Sequence, residues 1–118
     1  MRIASFIAAV RGLMVMFKTQ RHAQIHGLAM VGVMVLAAWL RVELRDWCWL
    51  VVAIMAVVSS WAFHTAVGKL ADRITMERDS LIRDAKDLAA GAVLWAALGA
   101  AIIGLIVLGP PLWKRVLG

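Results

Sequence analysis

Three long apolar runs constrain the fold of this chain more than any other feature. They cover residues 25–42, 47–67 and 88–108, and Arg41, near the end of the first run, is their only charged residue. A helix needs about 20 apolar residues to cross the hydrocarbon core of a bilayer. Because lipid offers no partners to backbone N–H and C=O groups, only helices and closed barrels span it. The sequence therefore predicts an all-α integral membrane protein with three transmembrane helices.

The composition excludes a water-soluble globule. Of the 118 residues, 64% are hydrophobic and 17% are charged, whereas soluble domains are about 45–50% apolar and about 25% charged. The net charge of +6 comes from Lys and Arg residues that flank the apolar runs. They form no basic patch interleaved with aromatic residues, so the pattern indicates anionic lipid headgroups as partners and excludes nucleic acid. The single cysteine, Cys48, excludes an internal disulfide.

The chain is predicted to form a single membrane domain, 1–118, that begins with a surface helix. Residues 1–19 place apolar side chains at helical spacing, with polar side chains mostly on the other side. Such a pattern is typical of an amphipathic helix lying in the membrane interface. The stretch lacks the continuous apolar core of a cleavable signal peptide. A polar connector is predicted at 19–26.

The most charged part of the chain, residues 69–87, is called the charged segment below. It keeps helical apolar spacing, which predicts an extension of the second span, a turn near 77–80 and a lead-in to the third span. Residues 109–111 read Gly-Pro-Pro and are expected to end the third helix, because proline cannot continue the hydrogen-bond ladder. Residues 109–118 would then form a tail.

The flanking charges also predict an orientation. Lys and Arg are most numerous in the N-terminal segment and in the charged segment, and the positive-inside rule places both in the cytoplasm. The first loop and the C-terminus would lie outside, where an aromatic belt is expected, close to Trp39, Trp47, Trp49 and Trp113. The third span is rich in Ala and Gly, including Gly99 and Gly104, which predicts close packing against other transmembrane helices.

Several stretches resemble the small bacterial integral-membrane lipid kinases, diacylglycerol kinase and undecaprenol kinase. The similarity runs without gaps over about residues 11–105. Its clearest parts are Arg11–Leu13, Lys18–Arg21 with Gln24–His26, His64–Val67 with Leu70–Ile74, and Arg83–Leu94. The resemblance implies a diacylglycerol-kinase-like fold in the bacterial inner membrane and assembly as a homotrimer. It also implies transfer of the ATP γ-phosphoryl group to a lipid hydroxyl with the help of Mg²⁺.

The chain departs from that family at the implied catalytic and metal positions. Gln20, Trp61 and Gly68 stand where the resemblance implies glutamates, and His64 stands where it implies an asparagine. Trp61 and His64 are the implied catalytic positions, and Gln20 and Gly68 the implied metal positions. Mg²⁺ binds through carboxylates, phosphates and water. The sequence therefore predicts a pseudoenzyme that acts as a structural, regulatory or lipid-binding subunit, either in a homotrimer or within a larger membrane complex.

An alternative is an active lipid kinase with ATP, Mg²⁺ and a rebuilt metal site. Glu77, Asp79, Lys86 and Asp87 occupy positions that the resemblance assigns to nucleotide binding. The carboxylates of the charged segment could supply a new metal site. The plainer interpretation is a solvated face with ion pairs between residues four apart.

A second alternative rests on His64, a polar residue near the end of a predicted span. A neutral imidazole can ligate the central metal of a tetrapyrrole, and the small Ser60 one turn earlier would leave room for the ring. The plainer interpretation is a histidine that is hydrogen-bonded across the helix bundle or that reaches the membrane interface. His22 and His26 share a helical face at metal-ligand spacing, but they lie at a polar boundary where histidine is ordinary.

Overall fold

Four helices make up the part of the chain that the computed structural model describes, residues 2–75, 77 and 79–118. They are α1 (Arg2–Thr19), α2 (Arg21–Leu40), α3 (Leu44–Ile74) and α4 (Ser80–Val116). The last three are each long and apolar enough to cross a membrane, which confirms the all-α fold with three spans. Arg78 and the side chain of Arg2, both counted in predicting the orientation, lie outside the described residues.

The junction of α1 and α2 is a break of one residue. Gln20 has an extended backbone, with φ −99° and ψ 114°, and α2 begins at the next residue. The side-chain amide of Gln24 donates to the carbonyl oxygen of Lys18 over 3.0 Å. It thereby satisfies one of the carbonyls that a helix end leaves without a partner. The predicted connector at 19–26 was wrong, because its polar residues start α2 and cap α1.

The first span ends in a left-handed turn. Arg41 has φ 56° and ψ 50°; its N–H donates to Ala38 O over 3.2 Å, and the Val42 N–H donates to Ala37 O over 3.3 Å. This pair of bonds is the Schellman motif, which usually has glycine at the left-handed position. Helix α2 therefore stops at Leu40, two residues before the predicted end, and α3 starts after a very short connection.

The charged segment contains the end of α3 and the start of α4; the turn predicted near 77–80 falls partly on Arg78, which lies outside the described residues. Helix α3 continues to Ile74, and Asp79 caps the N-terminus of α4. Asp79 Oδ1 accepts hydrogen bonds from the N–H groups of Leu81, over 2.9 Å, and Ile82, over 3.1 Å. A carboxylate at this position satisfies unpaired backbone donors and is attracted by the helix dipole. This cap fixes where the third span begins.

The predicted end of the third helix at 109–111 was wrong, since α4 continues through Pro110 and Pro111 to Val116. The two prolines cannot donate to the carbonyls of Ile106 and Val107, so two rungs of the ladder are missing. Unwinding the chain there would expose still more backbone groups in or near lipid, where they find no partner. The helix therefore continues, and most of the residues predicted to form a tail, 109–118, belong to the last turns of α4.

Helices α3 and α4 run antiparallel, joined by the short connection after Ile74. A small core at the far end of this pair is formed by Ala37, Leu50, Val107 and Leu108. In the most apolar 18-residue stretch of each span, however, 17% or fewer of the residues are buried within the chain. Large side chains such as Phe63 and Trp95 are exposed by 73% and 76%. Lipid or other transmembrane helices must cover these surfaces.

Candidate functional site

The indole of Trp61 lies at the centre of a group of rings where α2 meets α3. The ring of His22 stacks on it at a centroid distance of 6.0 Å and an angle of 11°. His26 lies at 5.2 Å and 49°, and His64 meets it edge-on at 5.4 Å and 75°. We call His22, His26, Trp61 and His64 the histidine–tryptophan cluster. Aromatic pairs of this kind contribute about 0.5–1.5 kcal/mol each beyond the area they bury.

The spacing of the two histidines on α2 explains this contact. Residues four apart on a helix lie on the same face, one above the other, so His22 and His26 together flank one indole. His64 follows Trp61 by three residues and shares its side of α3. The sequence analysis treated His22 with His26 as one pair and Trp61 and His64 separately, because their contact depends on the packing of α2 on α3.

The cluster contains two polar atoms whose hydrogen-bonding needs are not met. Trp61 Nε1 and His64 Nδ1 are both buried and lack a hydrogen-bond partner among the described residues. A buried donor or acceptor without a partner costs about 1–3 kcal/mol. The interpretation that His64 is hydrogen-bonded across the helix bundle or reaches the interface stays a prediction, and within the described chain Nδ1 contributes no such bond. The indole and imidazole fill the site by shape and not by a satisfied polar network.

The other two positions implied by the resemblance lie on either side of this cluster. Gln20 is half-buried immediately before α2, two residues from His22. Gly68 lies one turn beyond His64 on α3, and a Cβ built there would contact nothing within 4 Å. The structure therefore brings Trp61 and His64 into direct contact and leaves room for a side chain at position 68.

The tetrapyrrole interpretation of His64 stays a prediction, and its surroundings do little to support it. The Ser60 hydroxyl, one turn earlier, donates to the carbonyl oxygen of Val57 over 2.8 Å. A histidine that ligates a metal usually has its other ring nitrogen held by a carboxylate or carbonyl. Nδ1 of His64 has no such partner in the part of the chain described.

The four residues assigned to nucleotide binding by resemblance lie together. Glu77, Asp79, Lys86 and Asp87 all line one open depression of about 380 Å³, together with Ser80, Ile82 and Arg83. The depression is formed by the turn after α3 and the first two turns of α4. Asp79 contributes one oxygen to the α4 cap, so this carboxylate has a structural role there.

Lys86 is held by a carboxylate from the neighbouring helix. Its Nζ lies 2.7 Å from Oδ1 of Asp72, and the two side chains are 44% and 50% exposed. The other ion pair among the described residues joins Arg83 to the adjacent Asp84 at 4.0 Å. The prediction of pairs between residues four apart was wrong, because α3 and α4 lie close enough for charges to pair between helices.

The described residues do not bring three metal-binding side chains together at any point. In particular, His22 and His26 converge on an indole and not on a third ligand. The carboxylates of the charged segment are divided between a helix cap, an interhelical ion pair and exposed positions. Among residues 2–75, 77 and 79–118, neither the pair His22 and His26 nor the carboxylates of the charged segment form a complete metal-binding site.

A long open groove separates α1 from α3, on the side of the molecule that carries α1. It has a volume of about 900 Å³, and we call it the α1–α3 groove. Its walls are mostly apolar: the small residues are Ala4, Ala8, Ala9, Gly12, Ala62 and Ala66, and the larger apolar ones are Ile7, Leu13, Val15 and Met16. Arg11 and Lys69 also line it. Sequence reasoning missed this groove, although small residues at helical spacing on α1 were a usable signal.

The three spans, the histidine–tryptophan cluster between α2 and α3, and the ion pair between α3 and α4 together define a small helical membrane protein. Its charged residues are concentrated where α3 meets α4. The sequence pattern of the family described as "Prokaryotic diacylglycerol kinase" matches residues 7–108. The chain therefore belongs to the prokaryotic diacylglycerol kinase family.

Two relatives show how far this similarity extends. Undecaprenol kinase of Bacillus subtilis (strain 168) is 32% identical over 108 residues, which cover 92% of this chain and 88% of the relative. Diacylglycerol kinase of Synechocystis sp. (strain ATCC 27184 / PCC 6803 / Kazusa) is 35% identical over 116 residues, 93% of this chain. The match spans 63% of the length of that second relative. The predicted family and a bacterial membrane protein are thus confirmed.

Proposed function

We propose that this chain is a catalytically silent member of the lipid kinase family that serves as a structural, regulatory or lipid-binding subunit in the membrane. The observation that carries the proposal is the half-buried indole of Trp61, which contacts three imidazoles at a position where the family resemblance implies a carboxylate. Partners would be membrane lipids and other transmembrane helices, in a homotrimer or a larger complex.

The physical reason is electrostatic. Phosphoryl transfer depends on positioning and on metal ions that neutralise the charge of the phosphates, and losing one key stabilising group lowers the rate by about 10³–10⁵. Gln20 and Gly68 supply no charge for a metal ion, and Trp61 supplies only an indole N–H.

An active ATP-dependent lipid kinase is the second candidate, and one observation favours it. Glu77, Asp79, Lys86 and Asp87 share a single depression at the surface, where a nucleotide and a metal ion could meet carboxylates. The ion pair between Lys86 and Asp72 weighs slightly against it, since a nucleotide phosphate would have to compete with that carboxylate for the lysine.

A phosphate-transfer assay in mixed micelles tests the proposal, with diacylglycerol and undecaprenol as acceptors. The unmodified chain is compared with a variant in which Gln20, Trp61 and Gly68 are changed to glutamate and His64 to asparagine. We expect no turnover by the unmodified chain. The Gly68→Glu part of the variant meets open space, so this change should not disturb the fold.

The matched control is Gly68→Glu alone, which adds one carboxylate without removing the indole. Activity in the fourfold variant but not in the control supports the proposal that the residues around Trp61 silence the site. Robust turnover by the unmodified chain would refute it and make the kinase the better candidate. Loss of that turnover on changing Asp87 to Asn would then assign the rebuilt site to the depression.

A further inference from the structure

We propose that the α1–α3 groove binds an anionic phospholipid, with an acyl chain between the two helices and the phosphate held by Arg11 and Lys69. This inference rests on the lipid-binding part of the proposed function and makes it specific. It concerns the side of α3 that faces α1, where Ala62, Thr65 and Ala66 line the groove.

The shape of the groove fits a lipid chain. Its volume is about 900 Å³, at the upper end of the range of about 300–1,000 Å³ for pockets that bind small molecules. Alanine and glycine alternate with larger apolar side chains on the α1 wall, and Ala62 and Ala66 line the α3 wall, so an apolar channel stays open between the two helices. A Cβ built at Gly12 would meet nothing within 4 Å, which shows how open the α1 wall is.

The charges around the groove select the headgroup. Arg11 and Lys69 are the charged residues among those that line it, and no carboxylate does so in the described part of the chain. Neither cation has a carboxylate oxygen within 4.0 Å among residues 2–75, 77 and 79–118. Lys and Arg can lay their apolar stems along such a surface and place the charge at headgroup level. A phosphate group offers the opposite charge and suitable acceptors.

Other occupants fit these charges less well. A neutral diacylglycerol would fill the apolar channel but would leave both cations without a counter-charge. A second copy of this chain carries 13 Lys and Arg residues against 7 Asp and Glu residues, so on average it would bring more positive charge to a groove that is already positive. An anionic phospholipid meets both the apolar and the electrostatic requirement.

Native mass spectrometry of the full chain, released from detergent with defined lipids, tests the proposal. We expect phosphatidylglycerol to be retained in preference to phosphatidylcholine and to diacylglycerol. Arg11→Gln and Lys69→Gln should each weaken retention by about fivefold, because a basic residue near the headgroups contributes about 1 kcal/mol. Lys114→Gln, which removes an exposed cation at the other end of α4, should have no effect.

A variant that fills the groove distinguishes a lipid bound within the groove from lipid that is attracted only by the positive charge of the surface. Ala66→Trp keeps both cations and should abolish selective retention, while Arg11→Lys should preserve it. Circular dichroism and size in detergent verify that each variant is folded. Equal retention of all three lipids, an equal effect of Lys114→Gln, or unchanged retention in Ala66→Trp would overturn the proposal. A change of oligomer size with Ala66→Trp would instead assign the groove to a second copy.

The same preparations keep this inference distinct from the silent-kinase proposal. Phosphate transfer by the unmodified chain would overturn the proposed function while leaving selective retention of phosphatidylglycerol intact. Loss of selective retention in a chain that shows no turnover would overturn only the lipid site.

Discussion

The ion pair between Asp72 and Lys86 is expected to stabilise the contact between α3 and α4 by a small, salt-dependent amount. For a separation of 2.7 Å, the Coulomb energy is about 1.5 kcal/mol with the dielectric constant of water and about 6 kcal/mol with an effective value of 20. The side chains are 44% and 50% exposed, so the lower figure is the better guide. Exposed pairs measure about 0.2–1 kcal/mol, and we expect about 0.5–1 kcal/mol here.

A double-mutant cycle measures this coupling directly. Asp72→Asn and Lys86→Gln are made singly and together, and urea unfolding is followed by circular dichroism in a non-ionic detergent. The cycle is repeated at about 0.01 M and 1 M salt, where the Debye length falls from about 30 Å to 3 Å. The coupling energy should fall by more than half, because the pair is open to solvent.

Arg83 and Asp84 provide the matched control. Their charged atoms are 4.0 Å apart and their side chains 72% and 62% exposed, so the same cycle should give a coupling energy close to zero. No measurable coupling between Asp72 and Lys86 at low salt would contradict the reasoning. So would a coupling that 1 M salt leaves unchanged, since the pair would then be shielded from water in a way that the structure does not show.

Three further predictions concern the connections and the spans. Arg41→Gly should raise the free energy of unfolding by up to about 1 kcal/mol, measured in the same urea experiment, because a left-handed residue with a Cβ is strained; a loss of stability would contradict this. In a background without the native cysteine, labels at Glu43 and Lys114 should react from outside intact cells, and a label at Asp79 only after permeabilisation; the reverse pattern would invert the predicted orientation. Gly99→Leu should reduce oligomer size in detergent, because among the described residues nothing outside its own stretch of helix lies within 4 Å of a Cβ there and the added bulk would separate neighbouring helices; an unchanged size would place α4 against lipid.

Local patterns in the sequence predicted the helices well where hydrophobic spacing alone determines which residues are helical. The charged segment kept its apolar period, and α3 ends and α4 begins within it. Two of the boundary errors came from treating polar residues and proline as interruptions. The polar residues Arg21, His22, Gln24 and His26 are helical. Helix α4 passes through Pro110 and Pro111, because lipid makes an unwound backbone costly.

The candidate site was predictable only in part. The family resemblance identified Trp61 and His64, and the structure places their rings in contact. The contribution of α2 could not be predicted, since nothing local in the sequence says that His22 and His26 face α3. The ion pair between Lys86 and Asp72 joins residues 14 apart, which only the antiparallel packing of two helices brings together.

The low burial within the spans has a consequence for how this sequence tolerates change. A lipid-facing position must be apolar but need not match the shape of a neighbour, whereas a position in a packed core must satisfy both demands. Phe63 and Leu94 are exposed by 73% and 72%. In a saturation mutagenesis library scored by membrane insertion, these two should accept almost any apolar residue. Ala37, with no exposed surface, should accept almost none, so tolerance to substitution would trace the surface that lipid covers.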